Sequence, residues 1–331
     1  MAFRSASSHS LDDIKAPVEQ EIKEFSGFFK NAMRSNIALV DTIARYIVKQ
    51  KGKRIRPIVV FLCAKACGTV NPSTFRGATL VEILHTATLV HDDVVDDADT
   101  RRGLASINAV WKNKVAVLMG DYLLSTGLMI SLNHDDVYFL KVTSDSVRRM
   151  SEGEILQIQK SRELNIDEAT YLKIIANKTA SLLSTCSEIG AASVTEDPAL
   201  RKAMKEYGEN VGMAFQIRDD ILDFTSRKSI LGKPIGGDMK EKKITLPLIH
   251  ALTQAPKSEA KSVLKRIKAG ASNKDVEQIV EFVQRYGGIT YAEKRAQDFG
   301  NAARECLRPF PDSDAKRSLE HFIDFVMERE K

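Results

Sequence analysis

The sequence predicts an all-α protein. Apolar residues return every three or four positions, as in Ile22, Phe25, Phe28 and Phe29 or Leu80, Leu84 and Ala87, which gathers them on one helical face. Sustained alternation with a period of two, the mark of a strand, is scarce. Glycine and proline fall between the periodic stretches: Gly52 and Pro57, Gly68 to Pro72, Gly232 to Gly237, Gly287 with Gly288. The 331 residues, 43% hydrophobic and 28% charged, have the composition of a globular protein with a sizeable core.

Taken in order, Met1 to Asp13 carries Ser, His and Asp without an apolar run, so no secretory leader is expected. Gly52 to Pro57 leads into a helix with proline in its first turn. The apolar helix that follows the Gly68 to Pro72 break runs through Leu80 to His91 into an acidic cluster. Asp197 and Pro198 read as the N-cap and first residue of a helix, and further on a second acidic cluster ends another apolar helix. From about Gln254 onward the chain is amphipathic and motif-poor, which reads as packing. With no linker, repeat or low-complexity tract, residues 1–331 read as a single helical domain. Apolar runs such as Ile58 to Ala64 and Val115 to Met119 fall short of the roughly 18 residues a membrane helix needs. Cys63, Cys67, Cys186 and Cys306 lack metal spacing and suit reduced thiols, which points to a cytoplasmic address. The net charge of +5 is spread along the chain without interleaved aromatics; nucleic-acid binding gains little from it, and small anionic substrates suit it equally well.

Asp92, Asp93 and Asp96, with Asp97 and Asp99 close behind, crowd carboxylates at the end of the apolar helix. Asp92 and Asp96 lie one turn apart, about 6 Å along the axis, and face the same way. Alone, D-D-x-x-D is as well explained by a solvated helix end. Asp219, Asp220 and Asp223 repeat the spacing far downstream, and two such accidents are improbable. Hard cations such as Mg²⁺ take carboxylate oxygens while leaving room for phosphate, so a diphosphate bridging two facing clusters accounts for both. Lys53, Arg54 and Arg56 stand beside a helix start, a natural place for phosphate, and Arg101 and Arg102 follow the first cluster. In isolation K-R-x-R would be surface charge, Arg101 and Arg102 a surface ion pair of small worth, Lys178, Lys233 and Lys243 exposed lysines, and His85 a satisfied histidine.

Together these segments resemble the trans-isoprenyl diphosphate synthase family. The resemblance runs from about Gly52 to Pro247, through Gly52 to Pro57, Leu84 to Gly103, Met119 to Leu123, Glu152 to Gln157, Lys178 with Thr179, Gln216 to Asp223, and Gly236 to Pro247, in family order. It implies a bundle of long helices around a deep central cavity, usually in a homodimer, and a Mg²⁺-dependent prenyl transferase. Asp92, Asp96 and Asp219, with Asp93 and Asp223, would surround the metal, and Asp220 completes the second cluster. Arg101, Lys178, Lys233 and Lys243 would hold an allylic diphosphate such as farnesyl diphosphate; Lys53, Arg56, His85 and Arg102 would hold isopentenyl diphosphate, and Thr179 and Gln216 would line the reacting region. Glu241-Lys242-Lys243 departs from many relatives, which carry a small residue in the middle, and leaves open which lysine reaches phosphate.

The resemblance also gives the positions four and five before the first aspartate, Thr88 and Ala87, a part in setting product length. Both are small, and Leu80 to His91 holds no aromatic ring, so elongation should pass. Met129 and Leu132 on the next helix are expected at the tunnel floor, and a hexaprenyl to decaprenyl product is favoured over geranylgeranyl. A metal phosphohydrolase of the HD type would need more histidine ligands, and a terpene cyclase would carry Asn and Ser or Thr in its second motif. A non-enzymatic helical module leaves the paired clusters unexplained.

Overall fold

A computed structural model of the chain describes residues 10–50, 52–225 and 237–329. The helices are α1 (Leu11–Lys15), α2 (Glu19–Ala32), α3 (Ala38–Lys49), α4 (Ile55–Cys67), α5 (Pro72–Val95), α6 (Ile107–Leu132), α7 (Val137–Glu163) and α8 (Glu168–Ile175). After them come α9 (Ser181–Ala192), α10 (Pro198–Thr225), α11 (Gly237–Lys240), α12 (Leu246–Gln254), α13 (Lys257–Ala269), α14 (Asn273–Arg285), α15 (Gly288–Cys306) and α16 (Asp314–Met327). The expected all-α class holds, and Gly68, Pro72 and Gly287 fall at helix ends as expected, while residues 232–236 lie outside the described residues. Asn71 caps α5 by accepting the Ser73 and Thr74 amides, with Pro72 in the first turn. At the start of α10 the Asp197 carboxylate accepts the Ala199 amide at 2.8 Å.

α4 is buried on nearly every side from Pro57 to Ala64 and lies against α5 and α9, while α10 packs between α9 and α15. Two apolar clusters result. One gathers around α4, α5 and α9, and the other joins the C-terminal half of α10 to α12, α14 and α15. The two acidic helix ends, of α5 and α10, emerge from this packed centre.

Three local features depart from the sequence expectation. Among the described residues there is one small sheet, in which Thr100–Arg101 (β1) pairs antiparallel with Leu104–Ala105 (β2). Arg102 (φ 51) and Gly103 (φ 78) form its two-residue turn; both left-handed, they fit the type I′ geometry that matches hairpin twist. Second, Ala176–Ala180, between α8 and α9, is a π-helical turn. Third, α6 is long and apolar enough to cross a bilayer by length and composition, with 33% of its most apolar stretch buried. A search for unbroken apolar runs missed it because Gly120, Asp121 and Tyr122 interrupt the pattern. It packs along α5 and bends at Lys112, where φ is 72.

Candidate active site

The first cluster lies at the C-terminal end of α5. Asp96 is the cap, and its amide bonds back to the Asp92 carbonyl at 2.8 Å, so the two carboxylates leave from successive turns. Asp93 faces inward: it is 2% exposed and accepts Arg101 Nε at 2.8 Å. The I′ turn of the hairpin returns Arg101 to Asp93. It also lays the Arg102 guanidinium over Gly52, where an added Cβ would come within 2.4 Å of Nη1.

The second cluster repeats the division. Asp219 and Asp223 are half-buried and Asp220 is buried. Asp220 accepts the Tyr171 hydroxyl at 2.7 Å and the Gln216 amide at 2.8 Å. Burial, then the charge of Asp238, pushes its carboxyl up to about 8. Asp223 accepts the Gly237 and Asp238 amides. Asp219 takes Arg329 Nη1 at 2.7 Å; burial raises its carboxyl while Arg329 opposes the shift. In both clusters, then, the middle aspartate is buried and held by neighbouring side chains, while the outer two are more exposed.

Lys178 and Thr179 sit on the π turn, whose extra residue turns both toward α10 and α7. Two glycines permit this. A Cβ on Gly153 would meet the Lys178 amide at 2.9 Å, and one on Gly212 would meet Ala180 Cα at 2.5 Å. Lys178 pairs with Glu154 and reaches Gln157 at 3.3 Å. The Thr179 hydroxyl donates to Gln216 at 2.8 Å, completing a chain from the π turn through Gln216 to Asp220. Lys178, Thr179, Gln216 and Asp220 line one cavity of about 120 Å³ together with Asp238 and Lys243. Lys243 borders it and Lys242 is exposed. Lys233 lies outside the described residues.

A second pocket, on the other side of the α5 end, holds Arg54, Arg101, Arg102, Glu82 and Asp93. His85 is buried, and burial followed by Arg56, Arg102 and Arg101 holds it well below its ordinary value, hence neutral. Arg56 is itself depressed by burial, and among the described residues its buried Nε has no bonding partner, so it has donor capacity for a ligand. Lys53 is exposed and its charge acts on Asp219.

One turn below Asp92, Thr88 opens on a third, narrow apolar cavity of about 10 Å³ bordered also by Val81, Leu84, Met150 and Leu182. The Thr88 hydroxyl donates to the His85 carbonyl of its own helix at 2.8 Å, a bond that spares the cavity an unmet polar group. Ala87 is buried beside it, 2% exposed. Met129 and Leu132 correct the sequence expectation: they are 49% and 54% exposed on the outer side of α6, because α7 and α9, not α6, close the cavity against α5. Sequence reasoning gave no role to Glu82, Glu154, Gln157, Tyr171 or Arg329. Glu154 and Gln157 were legible as a same-face pair three residues apart; the others meet the site only through tertiary packing.

The outer aspartates offer hard oxygen donors, and Asp92 is raised by burial and by the charges of Glu154 and Asp96, a crowding that a cation relieves. Among the described residues no three Asp, Glu, His or Cys side chains form a ready-made cation cage. These donors therefore fit Mg²⁺ whose coordination is completed by phosphate oxygens.

Two acidic helix ends above an apolar cavity, in an all-helical bundle, define the isoprenoid synthase class. The polyprenyl synthetase family model matches residues 37–283, and the chain belongs to that family. An all-trans-nonaprenyl-diphosphate synthase from Rhodobacter capsulatus, described as geranyl-diphosphate specific, is 38% identical over 318 residues, 96% of this chain and 97% of the relative. A polyprenyl synthase from Caulobacter crescentus, solved with calcium and isoprenyl diphosphate, is 33% identical with a TM-score of 0.88 over 98% of this chain and all of the other. A geranylgeranyl pyrophosphate synthetase from Pyrococcus horikoshii is 29% identical with a TM-score of 0.89, covering 96% of this chain and 99% of its own. The chain is accordingly a transferase, a trans-prenyl diphosphate synthase acting on isoprenyl diphosphates, and the phosphohydrolase, cyclase and non-enzymatic readings fall.

Proposed function

We propose that this enzyme adds isopentenyl diphosphate repeatedly to an allylic diphosphate, such as geranyl or farnesyl diphosphate, and releases a hexaprenyl to decaprenyl diphosphate. The observation that carries the long product is the apolar cavity below Thr88, with no aromatic side chain between Leu80 and His91 to close it. Mg²⁺ held by Asp92 and Asp96 on one side and Asp219 and Asp223 on the other would neutralise charge on the departing diphosphate. Lys178 and Lys243, with Lys233, hold the allylic diphosphate, while Arg101 keeps Asp93 and the hairpin in place at its edge. Arg56 and Arg102, with Lys53 and the neutral His85, hold isopentenyl diphosphate. Thr179 and Gln216 flank the reacting carbons, and the closed site keeps water from the allylic cation. The alkene attacks that cation, so no nucleophilic side chain is required, and the released diphosphate takes the final proton.

Each added five-carbon unit buried in a dry cavity gains on the order of 3 kcal/mol, which favours growth until a wall is met. We place the protein in the cytoplasm as one helical domain that pairs with a second copy. The apolar outer side of α6, with Val117, Leu118, Met129 and Leu132 exposed, supports that pairing, and Asp121 on α6 facing His91 at 3.4 Å supports a packed rather than membrane-crossing helix.

The test is incubation with labelled isopentenyl diphosphate and geranyl or farnesyl diphosphate, with and without Mg²⁺, followed by product sizing. Mg²⁺-dependent chains well beyond geranylgeranyl are expected; a stop at geranylgeranyl keeps the reaction and removes the long product. Asp92→Ala and Asp219→Ala should each lose roughly 10²- to 10³-fold or more of turnover with helix content unchanged, and Ala87→Phe should shorten the product.

A further inference from the structure

Val48 of α3 borders two pockets at once. One is the Arg102 pocket, which Phe29 of α2 and Ile47 of α3 also line. The other is a cradle of about 390 Å³ between the same two helices. It is larger than the Lys178 cavity and the Arg102 pocket, at about 120 and 250 Å³, and falls within the roughly 300–1,000 Å³ of small-molecule sites. Lys30 and Arg34 from α2 and Arg45 and Lys49 from α3 form its exposed rim, over a floor of Met33, Ala44 and Val48. Arg45 Nε donates to Asp41, the one carboxylate in the lining, at 2.7 Å. Among the described residues, Lys30, Arg34 and Lys49 form no ion pair. Three like charges around one opening repel one another, and an anion relieves that repulsion. The apolar floor suits an anion that carries hydrocarbon. Because Asp41 is already held by Arg45, diphosphate would bind the rim directly, without a metal ion.

Both helices of the cradle also reach the Arg102 pocket. Arg54, left-handed at φ 51, donates to the Ser26 hydroxyl of α2. The C-cap of α3, Gln50, lines that pocket together with Gly52, over which Arg102 lies. We infer that the cradle between α2 and α3 is a second, non-catalytic site for an isoprenyl diphosphate, and that Val48 and the Ser26–Arg54 bond link its occupancy to isopentenyl diphosphate binding. The diphosphate lies among Lys30, Arg34 and Lys49, and the hydrocarbon lies on Met33 and Val48. Such linkage is reciprocal: each ligand changes the affinity of the other by the same factor. The ligand class rests on the reaction proposed above, whereas the site can be counted without turnover.

The test is equilibrium binding of the unreactive analogue geranyl thiolodiphosphate in EDTA, which removes metal-assisted binding at the aspartates. Wild type should bind one more molecule per chain than Lys30→Ala/Lys49→Ala, a variant altered at two exposed residues and checked for helix content by circular dichroism. The site lost there should persist in Arg102→Ala. If the lysine variant keeps every site, the inference is overturned. For the linkage, isopentenyl diphosphate affinity is measured with the analogue absent and saturating. It should shift roughly fivefold or more further in wild type than in the lysine variant; an equal response in both removes the linkage. Two other outcomes also overturn the assignment. Loss of binding to phosphatidylglycerol vesicles in the lysine variant, with its soluble sites intact, would make the cradle a membrane contact. A lowered mass by light scattering would make it a subunit contact. Failure of the proposed reaction would appear separately, as wild-type protein that binds the analogue at both sites and condenses nothing.

Discussion

His85 is surrounded by guanidinium groups and closed off from water, and its folded value lies well below 6.5. The unfolded chain therefore takes up this proton first as pH falls. The stabilisation from a neutral His85 is fully present above about pH 6.5 and is lost below it, at about 1.4 kcal/mol per pH unit, until the folded value is reached. His85→Gln should flatten the decline of melting temperature between pH 6.5 and 5, and the wild-type imidazole should remain neutral at pH 6 by NMR. Isopentenyl diphosphate should raise its midpoint, whereas a free enzyme titrating near 6.5 would contradict the burial. At this scale the aspartate spacing was legible in the sequence because carboxylates one turn apart need a counter-charge wherever they lie. The inward turn of Asp93 and Asp220 was not: it depends on Arg101 returning through a hairpin and on Tyr171, which is far from Asp220 in sequence.

Among the elements, the π turn from Ala176 to Ala180 governs most of the geometry. The sequence marked Lys178 and Thr179 only by resemblance, since a single π turn leaves no periodicity of its own. Its causes lie on other helices, in the missing side chains of Gly153 and Gly212. Gly153→Ala should force α7 and the turn apart, destabilise the fold by about 1–3 kcal/mol and displace Lys178. Steady-state kinetics with each substrate varied should then show KM rising at least several-fold more for the allylic diphosphate than for isopentenyl diphosphate, with helix content by circular dichroism retained. Equal losses for both substrates would mean general loosening instead. The hairpin was equally hidden, because two-residue strands are too short to show alternation and only Gly103 signals the turn.

Across the whole molecule, the helical class and the capping at Asp197 were legible, because amphipathic periodicity and turn residues are local signals. The outward side of α6 was not, since an exposed apolar face and a buried one share the same pattern; hence Met129 and Leu132 were expected inside. Leu118→Lys with Met129→Lys should lower the mass found by light scattering from that of a dimer toward that of one chain while the helices persist. An unchanged dimer would place the contact elsewhere. The proposed binding sites, isopentenyl diphosphate beside Arg102 and the allylic diphosphate beside Lys178, also constrain the cycle. In head-to-tail condensation the product keeps the diphosphate of the newest unit, so on that proposal the headgroup stands in the Arg102 pocket after every cycle and must cross to the Lys178 cavity before the next. During that crossing the tail in the apolar cavity is the tether, and the tether strengthens as the chain lengthens. The enzyme should thus become more processive with each step, leaving intermediates of middle length scarce between early escapes and the finished product.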